Sequence, residues 1–143
     1  DLYRTTYEAF VKSAQADLAS EKAMLEGWTI TFRKLLAAGN HFTAGTDAPF
    51  MPYGLSIQIE IQTYVEVLGM SPFTALQSAT IWAAESVGVD KELGSLEPGK
   101  LADLVIVSGD PLKNIKDALN VKTVIKNGFV FPIDELLTKP VVK

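Results

Sequence analysis

The feature that most constrains this chain is one short apolar run, His41-Phe42-Thr43-Ala44-Gly45-Thr46, which ends on Asp47 in a turn framed by Gly45 and Pro49. It reads as a buried strand with helical patterning on both sides. A strand buried on both faces needs neighbours, because its backbone N–H and C=O groups otherwise stay unpaired. No second strand pattern occurs before residue 93. The chain up to that point therefore describes a piece of a sheet and not a whole one. A carboxylate at the carboxyl end of a buried parallel strand also sits where α/β enzymes keep their chemistry.

The first 38 residues are helical in pattern. Tyr3, Tyr7, Phe10, Val11 and Ala14 form one stripe, and Met24, Trp28, Phe32 and Leu35-Leu36 continue it up to the stop signal Gly39-Asn40. Gly27 weakens the second run. After a Pro/Gly-rich loop from Ala48 to Gly54, a helix begins near Ser56, with Ile57, Ile61, Tyr64, Val65 and Leu68 on one face, and ends at Gly69. Ser71-Pro72 is an N-cap followed by proline at the first helical position. That spacing predicts one helix to Gly88, with Leu76, Ala79, Thr80, Ala83 and Val87 inward.

Beyond Gly88 the pattern turns to strands. Leu93 to Leu96 reads as a short extended piece, and Glu97-Pro98-Gly99-Lys100 as a turn. Ala102 to Val107 is the strongest strand. Val121 to Lys126 is another, turned by Asn127-Gly128 into Phe129-Val130-Phe131.

With 143 residues, 48% of them apolar, the chain is one domain or pieces of two, with a large core or a surface that expects a partner. A net charge of −4 from 17 acidic and 13 basic residues, well mixed, argues against nucleic acid or an anionic membrane as a partner. No apolar run approaches the roughly 20 residues that span a bilayer. The lack of cysteine excludes disulfides, thiolate metal sites and a cysteine nucleophile, and leaves the compartment open, the cytoplasm being the expected one. Asp1-Leu2-Tyr3-Arg4 has neither a start methionine nor a signal-peptide core, so the chain reads as the interior of something longer.

Asp47 alone supports two readings: a turn or capping residue, or a metal ligand that also accepts a proton from metal-bound water. His41, the one histidine, lies six positions earlier on the same strand, which places it roughly 20 Å away, too far to share a metal. Glu60 and Glu66 are expected on a solvated helix face, although Gln58 and Glu60 follow the Asp47 loop closely enough to line a pocket mouth. Lys100 and Asp103 read as structural turn and ion-pair residues. Ser56, Ser71 and Ser108 lack a nucleophile-elbow pattern.

Three segments taken together resemble a known family: Ala44-Gly45-Thr46-Asp47-Ala48-Pro49, the run from Gly69 through Ser71-Pro72 to Thr80, and Gly94-Ser95-Leu96-Glu97-Pro98-Gly99-Lys100-Leu101-Ala102-Asp103-Leu104-Val105. Their order and spacing are similar to the carboxyl-terminal part of the metal-dependent amidohydrolases, in the imidazolonepropionase-like and Xaa-Pro-dipeptidase-like branch, from about Ala23 to Val130. The resemblance implies an α/β fold. Residues 1–92 would be the last strand and flanking helices of a (β/α)8 barrel, and residues 93–143 part of a small β-sandwich built from both chain ends. A complete barrel needs about 250 residues, more than this chain has.

The same resemblance makes Asp47 the aspartate that ends the eighth strand, a metal ligand and catalytic base. Gln58 becomes a substrate-contact candidate: the branch often has His-x-Glu after that strand, where this chain has Gln58-Ile59-Glu60. The family's His-x-His pair, central-strand bridge and later histidines would lie upstream of Asp1. The implied function is a segment of a hydrolase of C–N bonds (amide, cyclic amide or dipeptide) that uses water activated by a divalent metal, zinc in type. Its small-molecule substrate would be an amide or dipeptide. Its partner would be the upstream part of the same enzyme or a second chain, and the segment alone would be inactive and without tightly held metal. The alternative is a non-catalytic truncated or split-gene module that pairs with another chain or self-associates as a homo-oligomer. A third reading is a small α/β binding domain that shares the turn chemistry.

Overall fold

The computed structural model describes residues 18–47 and 55–138. The stripe from Tyr3 to Ala14 and the loop from Ala48 to Gly54 lie outside the described residues. Helix α1, Leu18–Ala37, carries Phe32 and Leu36 against the core, whereas Met24 and Trp28 of the same stripe are exposed, Trp28 at 64%. It stops where expected. Gly39 adopts a φ of 85°, a left-handed value that glycine reaches without strain, and its N–H bonds the Leu36 carbonyl at 3.0 Å.

Helix α2, Ser56–Glu66, buries Ile61 and half-buries Ile57, Tyr64 and Val65. Its free carbonyl end is covered by Arg33 of α1, whose Nε donates to the Leu68 carbonyl at 2.9 Å and Nη2 to that of Val67 at 3.2 Å. A guanidinium is well suited to that end of a helix, where the peptide dipoles leave partial negative charge. Gly69, with φ 77°, then turns the chain so that Met70 enters the core at 3% exposure.

The expected single helix from Ser71 to Gly88 is instead two, α3 (Pro72–Ser78) and α4 (Ile81–Ser86). The break has a tertiary cause: the Ser78 carbonyl accepts the Ala44 N–H at 3.0 Å, which takes it out of the helical ladder. Thr80 (φ −130°, ψ −98°) leaves helical space, and its hydroxyl bonds the Leu76 carbonyl. Thr80 and Val87 are therefore exposed, not inward, and the buried positions are Ala75, Ser78 and Ala84. The N-cap is as expected, the Ser71 side chain accepting from the Thr74 N–H at 3.1 Å. Replacing Ser71 by alanine is expected to cost about 1 kcal/mol in urea unfolding, the usual value of such a cap.

Leu93 to Ser95 forms a bend, not an extended piece, because Leu93 N–H folds back onto the Val89 carbonyl. Strands β1 (Leu104–Val107), β2 (Val121–Lys126) and β3 (Phe129–Pro132) then form an antiparallel sheet in the order β1-β2-β3, and helix α5 (Ile133–Thr138) follows. Val105, Val124 and Phe131 stand in one cross-strand row. Asn127 (φ 51°) and Gly128 (φ 81°) supply the two left-handed residues of a tight hairpin. A 3-10 helix, Ile115–Leu119, links β1 to β2 and places Ile115 in the core beside Ile61, Met70 and Ala75. The β section is thereby joined to the helices.

Asp103 fastens the hairpin. One carboxylate oxygen accepts the Asn127 N–H at 2.7 Å and the other pairs with Lys126. These contacts, the Asn127 bond first, hold its ionisation below the ordinary aspartate value of 3.8. A carboxylate whose folded ionisation is lowered contributes fully above its unfolded value and loses that contribution as pH falls through the folded one. The Asn127 amide shift should therefore titrate below pH 3.8 with the hairpin loosening, and should lose that step in Asp103→Asn. Lys100, as expected, has a structural place: it reaches Ser95 and Glu97 across the preceding turn. No helix among the described residues is long and apolar enough to cross a membrane.

Candidate functional site

The segment His41 to Asp47 is not a regular strand. Regular strand hydrogen bonds require a neighbouring strand, and among the described residues none lies beside it. Its burial nevertheless alternates: Phe42, Ala44 and Thr46 are half-buried, while His41, Thr43, Gly45 and Asp47 are exposed. One face is packed on helices and the other is open. The expected burial on both faces is thus corrected to burial on one.

The covered face is built from small and aromatic residues. Phe42 stacks on Phe32 with ring centres 3.9 Å apart, and Tyr64 leans on the same Phe32 at 5.6 Å. Ala75 and Ser78 of α3 are fully buried, and their small size lets the segment approach closely enough for the Ala44–Ser78 backbone bond.

Glu60 and Tyr64, one helical turn apart on α2, also hold the segment by its backbone. A Glu60 carboxylate oxygen accepts the Gly45 N–H at 3.1 Å, and its second oxygen accepts the Tyr64 hydroxyl at 2.7 Å. That hydroxyl also lies 3.2 Å from the Thr43 carbonyl. Glu60 is therefore half-buried and engaged, which corrects its expected place on a solvated face. Burial first, and then the Glu60 carboxylate, push the Tyr64 ionisation well above the ordinary tyrosine value. The sequence carried a usable signal here. A tyrosine on an apolar stripe needs a partner for its hydroxyl, and a glutamate four residues earlier lies on the same helix face.

Asp47 closes the segment with an exposed carboxylate and a φ of 46°, a left-handed conformation that aspartate tolerates better than most side chains. Gln58 is half-buried in the first turns of α2. His41 stands apart from Asp47. Its ring stacks on Trp82 at 4.1 Å and its Nδ1 lies 3.2 Å from Glu85. Glu66 is exposed and pairs with Lys116 at 3.0 Å.

A hydrolytic metal centre draws on about three protein ligands. Among the described residues no three His, Asp or Glu side chains are grouped to hold a metal ion. The donors among the described residues do not make up a whole metal site.

The fold has solved counterparts. It is similar to a Xaa-Pro dipeptidase with methionine bound in its active site (39% identity, TM-score 0.67, 73% of this chain and 25% of that one). It is also similar to a protein described as a prolidase from Bifidobacterium longum, at 36% identity and TM-score 0.64, over 69% of this chain and 25% of that one. The amidohydrolase family pattern matches residues 4–130, and the chain belongs to that family. Among curated relatives, an imidazolonepropionase from Geobacillus kaustophilus is 37% identical over 102 residues, 68% of this chain and 24% of the relative. A 5-methylthioadenosine/S-adenosylhomocysteine deaminase from Thermodesulfovibrio yellowstonii is 37% identical over 83 residues, 52% of this chain and 19% of the relative. The chain thus spans a quarter or less of the length of these relatives.

Proposed function

We propose that this chain is the carboxyl-terminal segment of a metal-dependent hydrolase that cleaves C–N bonds in a small amide, cyclic amide or dipeptide. The observation that carries the reading is the family match over residues 4–130, with a Xaa-Pro dipeptidase among the structural neighbours. Residues 1–92 would form the last strand and flanking helices of a (β/α)8 barrel, and residues 93–143 part of a composite β-sandwich. The open face of the segment ending at Asp47 supports this reading, because Thr43, Gly45 and Asp47 are exposed along it, as residues facing a barrel interior would be once the other strands are removed.

Asp47 would supply one ligand to a divalent metal, zinc in type, and its carboxylate would take the proton of the attacking water. Bound metal would supply a water acidic enough to attack near neutral pH. The remaining ligands would come from the rest of the same enzyme or from a second chain. Gln58, on the helix that follows the Asp47 loop, would contact substrate. By itself the segment would be inactive and would not hold metal tightly, since one carboxylate is far short of a ligand set.

The alternative, a non-catalytic module that pairs with another chain or with itself, is favoured by a specific observation: Trp28 is 64% exposed, Phe129 71% and Leu137 77%. Zinc titration and hydrolysis of Xaa-Pro dipeptides and cyclic amides separate the two readings. Stoichiometric zinc and turnover only when the remaining family segments accompany this chain support the hydrolase. Zinc-free, inactive protein with all those segments present overturns it.

A further inference from the structure

We infer that Glu60 and Tyr64 are positioning residues that fix the segment carrying Asp47, and so set where its carboxylate stands. The inference rests on the hydrolase reading and adds to it two residues that do not themselves touch substrate. Three backbone groups in succession are tied down just before Asp47. The Thr43 carbonyl is met by the Tyr64 hydroxyl at 3.2 Å, the Ala44 N–H goes to the Ser78 carbonyl at 3.0 Å, and the Gly45 N–H goes to Glu60 at 3.1 Å. In a sheet such groups bond to adjacent strands. Here the Gly45 N–H is held by a side chain of α2, and the single Tyr64 hydroxyl proton is shared between Glu60 at 2.7 Å and the Thr43 carbonyl at 3.2 Å.

The coupling gives the clamp its stiffness. Glu60 has one oxygen on the backbone and one on Tyr64, and the Tyr64 ring is held beside Phe32 at 5.6 Å. Rotating Glu60 away breaks both of its bonds at once. Gly45 is two residues from Asp47, so freedom at Gly45 passes directly into the carboxylate position. A shift of about 1 Å in a catalytic group can cost about a hundredfold in rate, which is the scale on which such a clamp acts.

The test has a structural and a kinetic arm. In the 143-residue chain, amide exchange by NMR should show the Gly45 N–H exchanging about tenfold faster in Glu60→Ala, with Ala44 unchanged. Glu60→Gln should restore most of the protection, because an amide oxygen still accepts. Tyr64→Phe keeps the ring packing and removes only the hydroxyl bonds, and should give an intermediate effect. In the zinc-loaded protein with the remaining family segments present, Glu60→Ala should lower kcat about ten- to a hundredfold, with zinc content and KM little changed and with recovery in Glu60→Gln. Unchanged Gly45 exchange in Glu60→Ala and Tyr64→Phe overturns the clamp whatever the enzyme does. Faster exchange with unchanged kcat overturns the positioning role and leaves a structural contact. No turnover with all family segments present would mark the failure of the hydrolase reading, while the exchange result stands; turnover undiminished in Asp47→Asn would instead overturn the catalytic role of Asp47 and with it the positioning role of Glu60 and Tyr64.

Discussion

Gly94→Ala is expected to destabilise the chain by about 3 kcal/mol, among the largest effects of any single methyl group in it. Two separate costs meet at this residue. Its φ of 90° lies in the region that L side chains rarely adopt. In addition, a Cβ built there would stand 2.9 Å from the Ile81 Cα and 2.8 Å from the Ala84 Cβ. Neither neighbour can swing aside, since one is helix backbone and the other is the methyl of a buried alanine in α4. Backbone strain of this kind costs about 1–3 kcal/mol, and overpacking a close contact adds about 1–3 kcal/mol. Urea unfolding followed by circular dichroism checks the value. Gly99→Ala is the control: its φ of 95° carries the strain alone, with no atom within 4 Å of the added carbon, so a smaller loss should follow. Equal losses at the two glycines would assign the whole effect to strain and none to packing.

Gly94 also shows what a sequence conceals. As a turn residue it is legible, but its packing against α4 depends on a helix break at Ala79 and Thr80 that no local pattern announces. The elements read correctly are those whose signals are local. Gly39 ends α1, Ser71 caps α3, and Asn127-Gly128 turns the hairpin through their own φ angles and side-chain bonds. The misread ones are decided by partners distant in sequence. The segment from His41 to Asp47 has strand composition, yet strand geometry belongs to a pair of strands, and no described strand pairs with it. The helix break follows from a hydrogen bond between Ser78 and Ala44, 34 residues earlier in the numbering.

The candidate site divides in the same way. Asp47 was legible as a carboxylate ending an apolar run, and His41 was set apart from it by distance along the chain alone. The structure gives His41 other company, Trp82 and Glu85. Glu60 was legible only as a partner for Tyr64 one turn along α2; its bond to the Gly45 amide was not, because the periodicity of α2 assigns it to a solvated face. A helix period ranks faces by their apolar content. It does not register a backbone group lying across from a polar face and in need of an acceptor. The contacts of Glu60 and Tyr64 to the Thr43 and Gly45 backbone emerge only once the α2 helix is placed against the segment.

Asp47→Asn should abolish most turnover while leaving the fold intact, the largest functional effect expected of any residue described. The side chain is exposed and asparagine adopts left-handed backbone as readily as aspartate, so φ 46° is retained without added strain. Stability should therefore change by less than about 0.5 kcal/mol, the range of surface substitutions away from special features. On the proposed hydrolase reading, what is lost is chemical. An amide cannot accept the proton of an attacking water as a carboxylate does, and it carries no negative charge toward a divalent cation. In the complete hydrolase kcat is expected to fall about a thousandfold, within the range that loss of a positioned acid or base produces. Zinc content, read by mass spectrometry of the metal, should fall only in part if histidines from the remaining segments hold the ion. A thousandfold fall in kcat with an unchanged unfolding midpoint separates a chemical role from a structural one. Full activity in Asp47→Asn, with the Gly45 amide still protected, would leave Asp47 a turn residue of the kind its Thr-Asp-Ala-Pro context also allows.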